Sequence, residues 1–82
     1  MLWVGIDVAK AELVVGTRTT ATGPHDRWTV PNDKTGTRAL VERLRHEAPA
    51  LIVLDATGGY ELLAVAALAA AGLPVVVVNP RQ

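Results

Sequence analysis

The chain of 82 residues contains no cysteine and no phenylalanine, and it has only one tyrosine and two tryptophans. The lack of cysteine excludes a disulfide-stapled scaffold and any thiolate metal site. Charged residues make up 20% of the chain and hydrophobic residues 50%, a balance that excludes intrinsic disorder. Eight basic and eight acidic residues give a net charge of zero. This argues against a domain that holds nucleic acid by bulk electrostatic attraction alone, although a metal-bridged contact stays possible.

No apolar run is long enough to cross a membrane. The longest run in the C-terminal half, residues 62–71, is about half of the roughly 20 residues that a transmembrane helix needs. The N-terminus has no basic segment typical of a secretory signal, and Asp7 and Lys10 interrupt the first apolar stretch. We therefore expect a soluble intracellular protein with one small domain, residues 1–82, and no membrane partner.

The hydrophobic periodicity predicts seven elements in the order β-β-β-α-β-α-β. Strands are expected at Leu2–Val8, Glu12–Thr19, Asp26–Val30, Leu51–Asp55 and Pro74–Val78, and helices at Thr35–Glu47 and Tyr60–Ala71. The first two strands form a hairpin because their connection is too short for a crossover. Thr20–Pro24 is predicted to be a turn, and Asn32 or Asp33 is expected to cap the first helix.

The predicted sheet is mixed and five-stranded, with the first strand in its middle. Two hairpins reverse the chain twice, and each helix then supplies a right-handed crossover to a parallel strand. The fourth strand is almost continuously aliphatic, a pattern typical of burial on both faces. The second helix is apolar almost all round and is expected to be largely covered. This layout is that of the ribonuclease-H-like fold and also of the actin and sugar-kinase ATPase halves.

Two acidic residues lie inside strand-like apolar runs, and each stands at the C-terminal end of its strand. If the strands that end in Asp7 and Asp55 are parallel neighbours, both carboxylates project at one edge of the sheet. Two like charges there repel each other, and a divalent cation removes that penalty. Hard oxygen ligands of this kind suit Mg²⁺ or Mn²⁺, and Gly5 leaves open space beside Asp7. The alternative is that Asp55 caps the following turn by accepting hydrogen bonds from residues 57–59.

Three further residues and one lysine are candidates for contacts with a phosphate. Thr57, Gly58 and Gly59 precede the second helix, where backbone N–H groups can approach an anion. A tight strand-to-helix turn capped by Thr57 is the alternative explanation. Lys10, in the first hairpin turn, either faces a phosphate near Asp7 or is an exposed turn lysine.

Five motifs of the chain follow one another in a specific order and spacing. They are Gly5-Ile6-Asp7-Val8-Ala9-Lys10, Asn32-Asp33 with Gly36, Asp55-Ala56-Thr57-Gly58-Gly59-Tyr60-Glu61, Ala71-Gly72-Leu73-Pro74-Val75 and Asn79-Pro80-Arg81-Gln82. With these motifs the sequence resembles the N-terminal domain of the DEDD-type insertion-sequence transposases, a group that includes the pilin-gene invertase. The resemblance implies a RuvC-like, ribonuclease-H-like fold, in agreement with the element order.

The resemblance also implies a metal site and its partners. Asp7 corresponds to the first acid of a four-carboxylate site, and Asp55 stands where the family usually has the longer glutamate. The third and fourth acids and a serine-bearing domain lie beyond the last motif in the family, which implies that this chain is a C-terminally truncated piece. Full-length members cut and rejoin DNA, many of them guided by a structured RNA, so we expect a bacterial cytoplasmic protein that joins the nucleoid when bound to DNA.

Two other functions stay open from the sequence. One is a nucleotide-binding half-domain like those of actin and the sugar kinases, although Val8-Ala9-Lys10 replaces the glycine and hydroxyl residues that such a phosphate loop needs. The other is a remnant without catalytic function that makes only protein contacts. Exposed apolar surface would also favour pairing with a second copy of the chain.

Overall fold

The computed structural model describes residues 1–19 and 25–79 of the chain. It contains strands β1 (Trp3–Val8), β2 (Glu12–Arg18), β3 (His25–Pro31), β4 (Leu51–Asp55) and β5 (Val75–Val78), and helices α1 (Lys34–Glu47) and α2 (Leu62–Ala70). The predicted order of elements is confirmed, with bounds that differ by a residue or two at most ends. The predicted turn at Thr20–Pro24 and the last three motif residues, 80–82, lie outside the described residues.

The five strands form one mixed sheet in the order β3-β2-β1-β4-β5. The pairs β1–β2 and β2–β3 are antiparallel, and the pairs β1–β4 and β4–β5 are parallel. β1 therefore lies in the middle, as predicted. Because β1 and β4 are parallel neighbours, their C-terminal ends meet at the same edge of the sheet.

Both helices pack on one face of the sheet, where they contact each other. Residues of β1 alternate between this covered face, which buries Val4, Ile6 and Val8, and the opposite face. Leu40 and Leu44 of α1 complete the same hydrophobic core. On the opposite face, no helix of the described part of the chain covers the sheet, and we call this face the open face.

Two burial predictions are wrong: β4 is not buried on both faces, and α2 is not largely covered. β4 buries only every second residue. Leu51 and Val53 are half-buried because no element within the described ranges packs over their face. α2 is not largely covered either, since Leu62 is 65% and Leu63 37% exposed. The helix lies over the β5 side of the sheet and against α1, so a single stripe of its surface reaches the core.

The junction between β3 and α1 is tightly built. The Asp33 carboxylate caps α1 by accepting a hydrogen bond of 2.7 Å from the backbone amide of Gly36. A Cβ atom at Gly36 would overlap the carbonyl oxygen of Pro31 and would lie 2.7 Å from its carbonyl carbon. Only glycine therefore fits here without a backbone shift, and this close approach fixes how the helix leaves the sheet.

Candidate metal centre

The structure brings Asp7 and Asp55 together on the open face. The parallel pairing of β1 with β4 aligns Ile6 with Leu54, and each acid is the next residue on its strand. Ile6 and Leu54 are buried in the core. Because side chains alternate along a strand, both carboxylates lie on the opposite side. The predicted placement of the two acids at one sheet edge is confirmed.

Both acids line a shallow groove of about 410 Å³ that crosses the open face. Its floor is formed by Gly5 and Gly16, which lie opposite each other on β1 and β2. A Cβ atom added to Gly5 would meet no atom within 4 Å. The groove therefore has room for an ion or a ligand atom beside Asp7, as the sequence predicted from this glycine.

The carboxylates of Asp7 and Asp55 have no hydrogen-bond or ion-pair partner among the described residues. The alternative that Asp55 caps the following turn does not hold, because a different carboxylate does so. Glu61 Oε1 accepts hydrogen bonds from the backbone amides of Thr57 at 2.9 Å and Gly59 at 3.0 Å, and from the Thr57 hydroxyl at 3.3 Å. The Asp55 carboxylate therefore takes no part in capping this turn.

The same contacts change the interpretation of the candidate phosphate site at residues 57–59. Gly58 and Gly59 have φ angles of 71° and 118°, so the turn needs glycine at both positions. Two of the amides that were candidates for a phosphate are engaged by Glu61. The hydrogen bonds from Thr57, from the backbone of Glu61 itself and from Gly59 lower the pKa of the Glu61 carboxyl group. The turn therefore already favours a negatively charged group.

The sequence did not reveal that Glu61 caps the turn at residues 57–59. Its signal is an acidic residue two positions after Gly58-Gly59 and directly before an apolar helix, where negative charge is favoured. Lys10, in contrast, lies exposed in the turn between β1 and β2. It is not among the residues that line the groove.

Asn32 is the second residue near the two acids whose contacts the sequence did not reveal. Asp33 is the helix cap, so Asn32 has a different function from the one considered for it. Its side-chain nitrogen donates one hydrogen bond to the carbonyl oxygen of Ala9 and another to that of Tyr60, both at 2.9 Å. Asn32 thereby joins the loops that follow β1 and β4.

The two acids match a hard divalent cation in chemistry, and such a pair would supply part of its coordination shell. They offer carboxylate oxygens in an open groove that Arg27 also lines, and neither carboxylate has a hydrogen-bond or ion-pair partner among the residues that the structure describes. Within residues 1–19 and 25–79, no group of three or more histidine, cysteine, aspartate or glutamate residues could hold a metal ion. Mg²⁺ commonly binds through one or two carboxylates and keeps several water ligands, so a pair of this kind fits it.

Comparison with solved structures defines the class of fold. The chain superimposes on RuvC from Thermus thermophilus with a TM-score of 0.68 at 17% identity, covering 98% of this chain and 64% of that one. It matches the fowlpox virus Holliday junction resolvase with a TM-score of 0.67 at 12% identity, covering 100% and 63%. The PPX-GPPA enzyme of Aquifex aeolicus matches with a TM-score of 0.54 at 11% identity, covering 100% and 37%. The fold is ribonuclease-H-like, and the chain spans somewhat under two thirds of the length of the two resolvases.

The sequence itself identifies the family. Residues 4–82 match the sequence model of the DEDD transposases of the IS110 group, whose description is transposase. The match covers nearly the whole chain, and the chain therefore belongs to the DEDD transposase family. No curated protein sequence matches it significantly. In the part of the chain that the structure describes, no helix is long and apolar enough to span a bilayer.

Proposed function

We propose that residues 1–82 form a RuvC-like N-terminal catalytic domain of a DNA transposase. In this proposal Asp7 and Asp55 hold Mg²⁺ or Mn²⁺ ions at the sheet edge, where a DNA phosphate is positioned for strand cleavage and transfer. The observation that carries it is a pair of carboxylates that lie at the ends of neighbouring strands in an open groove and have no partner in the described part of the chain. Family membership supplies the reaction class.

The two acids would act by binding the divalent cation and by orienting it toward the DNA phosphate. When bound, a divalent cation supplies Lewis-acid stabilisation of the negative charge that builds up on the phosphate. The Asp7 carboxylate lies on the central strand of the sheet, and the Asp55 carboxylate lies on the neighbouring strand. Asp55 is one methylene shorter than the glutamate usual in the family, so we expect its oxygens to lie further from a shared ion than those of a glutamate.

DNA is the proposed partner of this site. The net charge of zero implies that affinity depends on the bound cation more than on the charge of the domain. Lys10 and residues 57–59 are the proposed additional phosphate contacts. A phosphate at Thr57 and Gly59 would have to replace the Glu61 carboxylate, which occupies their amides. A structured guide RNA and the remainder of a transposase chain are the other partners that we propose.

We propose that the 82-residue chain alone has no strand-transfer activity. Two carboxylates are fewer ligands than a two-metal site needs. Asp26 also lines the groove, but its carboxylate pairs with Arg43, and among the described residues no third acid joins Asp7 and Asp55 in a group that could hold a metal ion. Strand transfer would be measured on labelled DNA with Mn²⁺. Cleavage that persists through purification and disappears in Asp7→Ala would overturn this proposal.

The metal site is tested directly by titration calorimetry with Mn²⁺. We expect weak binding to the wild-type chain and none to the double variant Asp7→Asn, Asp55→Asn, which keeps the side-chain shapes and removes both charges. Glu42→Gln is the control, because it removes one exposed charge on α1, away from the sheet edge. Identical heats for the wild type and the double variant would exclude the proposed site.

Self-association and nucleotide binding are the remaining proposals to separate from the DNA function. Exposed Leu62 and Leu63, with Val76 at 44% exposure, favour pairing of two copies. Light scattering that shows a strict monomer at high concentration would remove that proposal. The nucleotide-binding alternative shares the strand order and an aspartate on the first strand. Saturable ATP binding that survives the double aspartate variant would favour it over the metal site.

A further inference from the structure

The two proposed ligands lie where the direct pairing of their strands stops. The hydrogen-bonded register between β1 and β4 ends at Ile6 and Leu54, one residue before each acid. Asp7 is still paired with β2, and Asp55 with β5, so each acid follows a different neighbour. The β1–β4 ladder alone therefore does not fix the distance between the two carboxylates.

Asn32 provides a connection beyond that point. Its side-chain nitrogen donates to the carbonyl oxygen of Ala9, which stands two residues after Asp7, and to that of Tyr60, in the turn that follows Asp55. Both hydrogen bonds are 2.9 Å long, and one amide group uses both of its hydrogens for them. The two loops are thus joined through a single planar group.

The backbone of Asn32, which carries this side-chain amide, is itself held in place. Its backbone N–H donates to the carbonyl oxygen of Ala11 at 3.0 Å, which ties it to the β1–β2 turn. The next residue, Asp33, caps α1, and the close contact of Gly36 with Pro31 fixes the start of the helix. A donor on such a support can set the position of two loops, whereas a donor on a free side chain would follow them.

We propose that Asn32 is a positioning residue that sets the relative placement of Asp7 and Asp55. The proposal rests on the proposed function of the two acids as metal ligands. Groups that orient metal ligands through hydrogen bonds typically contribute a factor of about 10–100 to metal affinity. We expect loss of the Asn32 amide to weaken Mn²⁺ binding by about tenfold while the fold is retained.

The test compares Mn²⁺ affinity in the 82-residue chain for two variants by titration calorimetry. Asn32→Asp keeps the size and shape of the side chain but has no N–H to donate. It also adds a negative charge, which by itself would attract the cation, so weaker binding cannot be a charge effect. Asn32→Leu removes the donors without adding charge. Asp33→Asn is the control, since asparagine keeps the capping oxygen and we expect its affinity to stay within about twofold.

Two readouts separate positioning from general destabilisation and from failure of the metal site. The Mn²⁺ affinity is measured at a temperature far below the melting temperature of each variant. Asn32→Ser replaces either variant if that variant does not fold. Amide hydrogen exchange is followed at Ala9–Ala11 and at Ala56–Tyr60, and we expect it to rise in both loops together. If wild-type binding does not depend on the two acids, the proposed function fails, and the exchange data alone decide whether Asn32 joins the loops. Wild-type Mn²⁺ affinity in both variants, or unchanged exchange in either loop, would overturn the proposal.

Discussion

Substitution of Gly36 by alanine tests the tight junction that supports α1 and Asn32. Helix propensity alone favours alanine in this position by about 1 kcal/mol. Against this, the new Cβ atom would overlap the carbonyl oxygen of Pro31 and lie 2.7 Å from its carbonyl carbon and 3.0 Å from its Cγ. The clash is with backbone atoms, so it cannot be relieved by rotating a side chain.

Overpacking of a well-packed site costs about 1–3 kcal/mol and more when the backbone must move. Because the backbone must move, the upper end of this range, about 3 kcal/mol, applies to Gly36→Ala. Subtracting the gain in propensity of about 1 kcal/mol, we expect the free energy of unfolding to fall by about 2 kcal/mol. A chain of this length has a total stability of roughly 4–12 kcal/mol. The melting temperature should fall by about 8–16 °C.

Urea unfolding followed by tryptophan fluorescence measures this change. Trp28 is a suitable reporter because its ring packs against the core and lies under the guanidinium group of Arg43, 4.1 Å from the ring centroid. Gly5→Ala is the matched control, since a Cβ atom there meets nothing within 4 Å. Its stability should stay within about 1 kcal/mol of the wild type. Equal stability of Gly36→Ala and the wild type would refute the reasoning from the close approach.

Two further predictions concern the ends of the helices. Ala48 closes α1 in the left-handed backbone conformation, with φ 50° and ψ 62°. Ala48→Gly should therefore raise the free energy of unfolding by about 0.5–1 kcal/mol in urea melts, whereas Ala39→Gly inside the same helix should lower it by about 1 kcal/mol. A loss of stability in both variants would contradict this. The pKa of Glu61 is lowered by hydrogen bonds to the turn before α2, so its stabilising contribution is complete above about pH 5 and is lost as the pH falls through the folded-state pKa. The difference in urea midpoint between the wild type and Glu61→Gln should therefore shrink from pH 6 to pH 3, and a constant difference would show that the carboxylate does not hold the turn.

Local sequence patterns were sufficient to predict the order of elements and the edge at which the acids meet. The period-2 pattern of β1, the short turn after it and the aliphatic β4 each depend on residues close together in the chain. Parallel β1 and β4 then follow from chain direction and handedness, and they place Asp7 beside Asp55. Patterns of this kind act over a few residues, so they can be recognised without the fold.

Burial was predicted less well, for a physical reason. The apolar residues of a strand or helix show only that it can be buried. How many of its faces are buried depends on where the other elements of the chain pack. β4 has a half-exposed face because both helices pack on the other side of the sheet. Leu62 and Leu63 are exposed because α2 meets the core through one stripe that includes Ala64 and Leu68.

The sequence by itself determined the mixed five-stranded topology, the DEDD transposase family and the two aspartates at the ends of neighbouring strands, with Gly5 beside Asp7. Tertiary structure alone decided which groups surround them. Asn32 reaches loop carbonyls 23 and 28 residues away in the chain, and Glu61 takes the capping position that the sequence left open to Asp55. Hydrogen bonds of this kind are set by where loops meet in space. A residue pattern that repeats every two or four positions carries no information about such meetings.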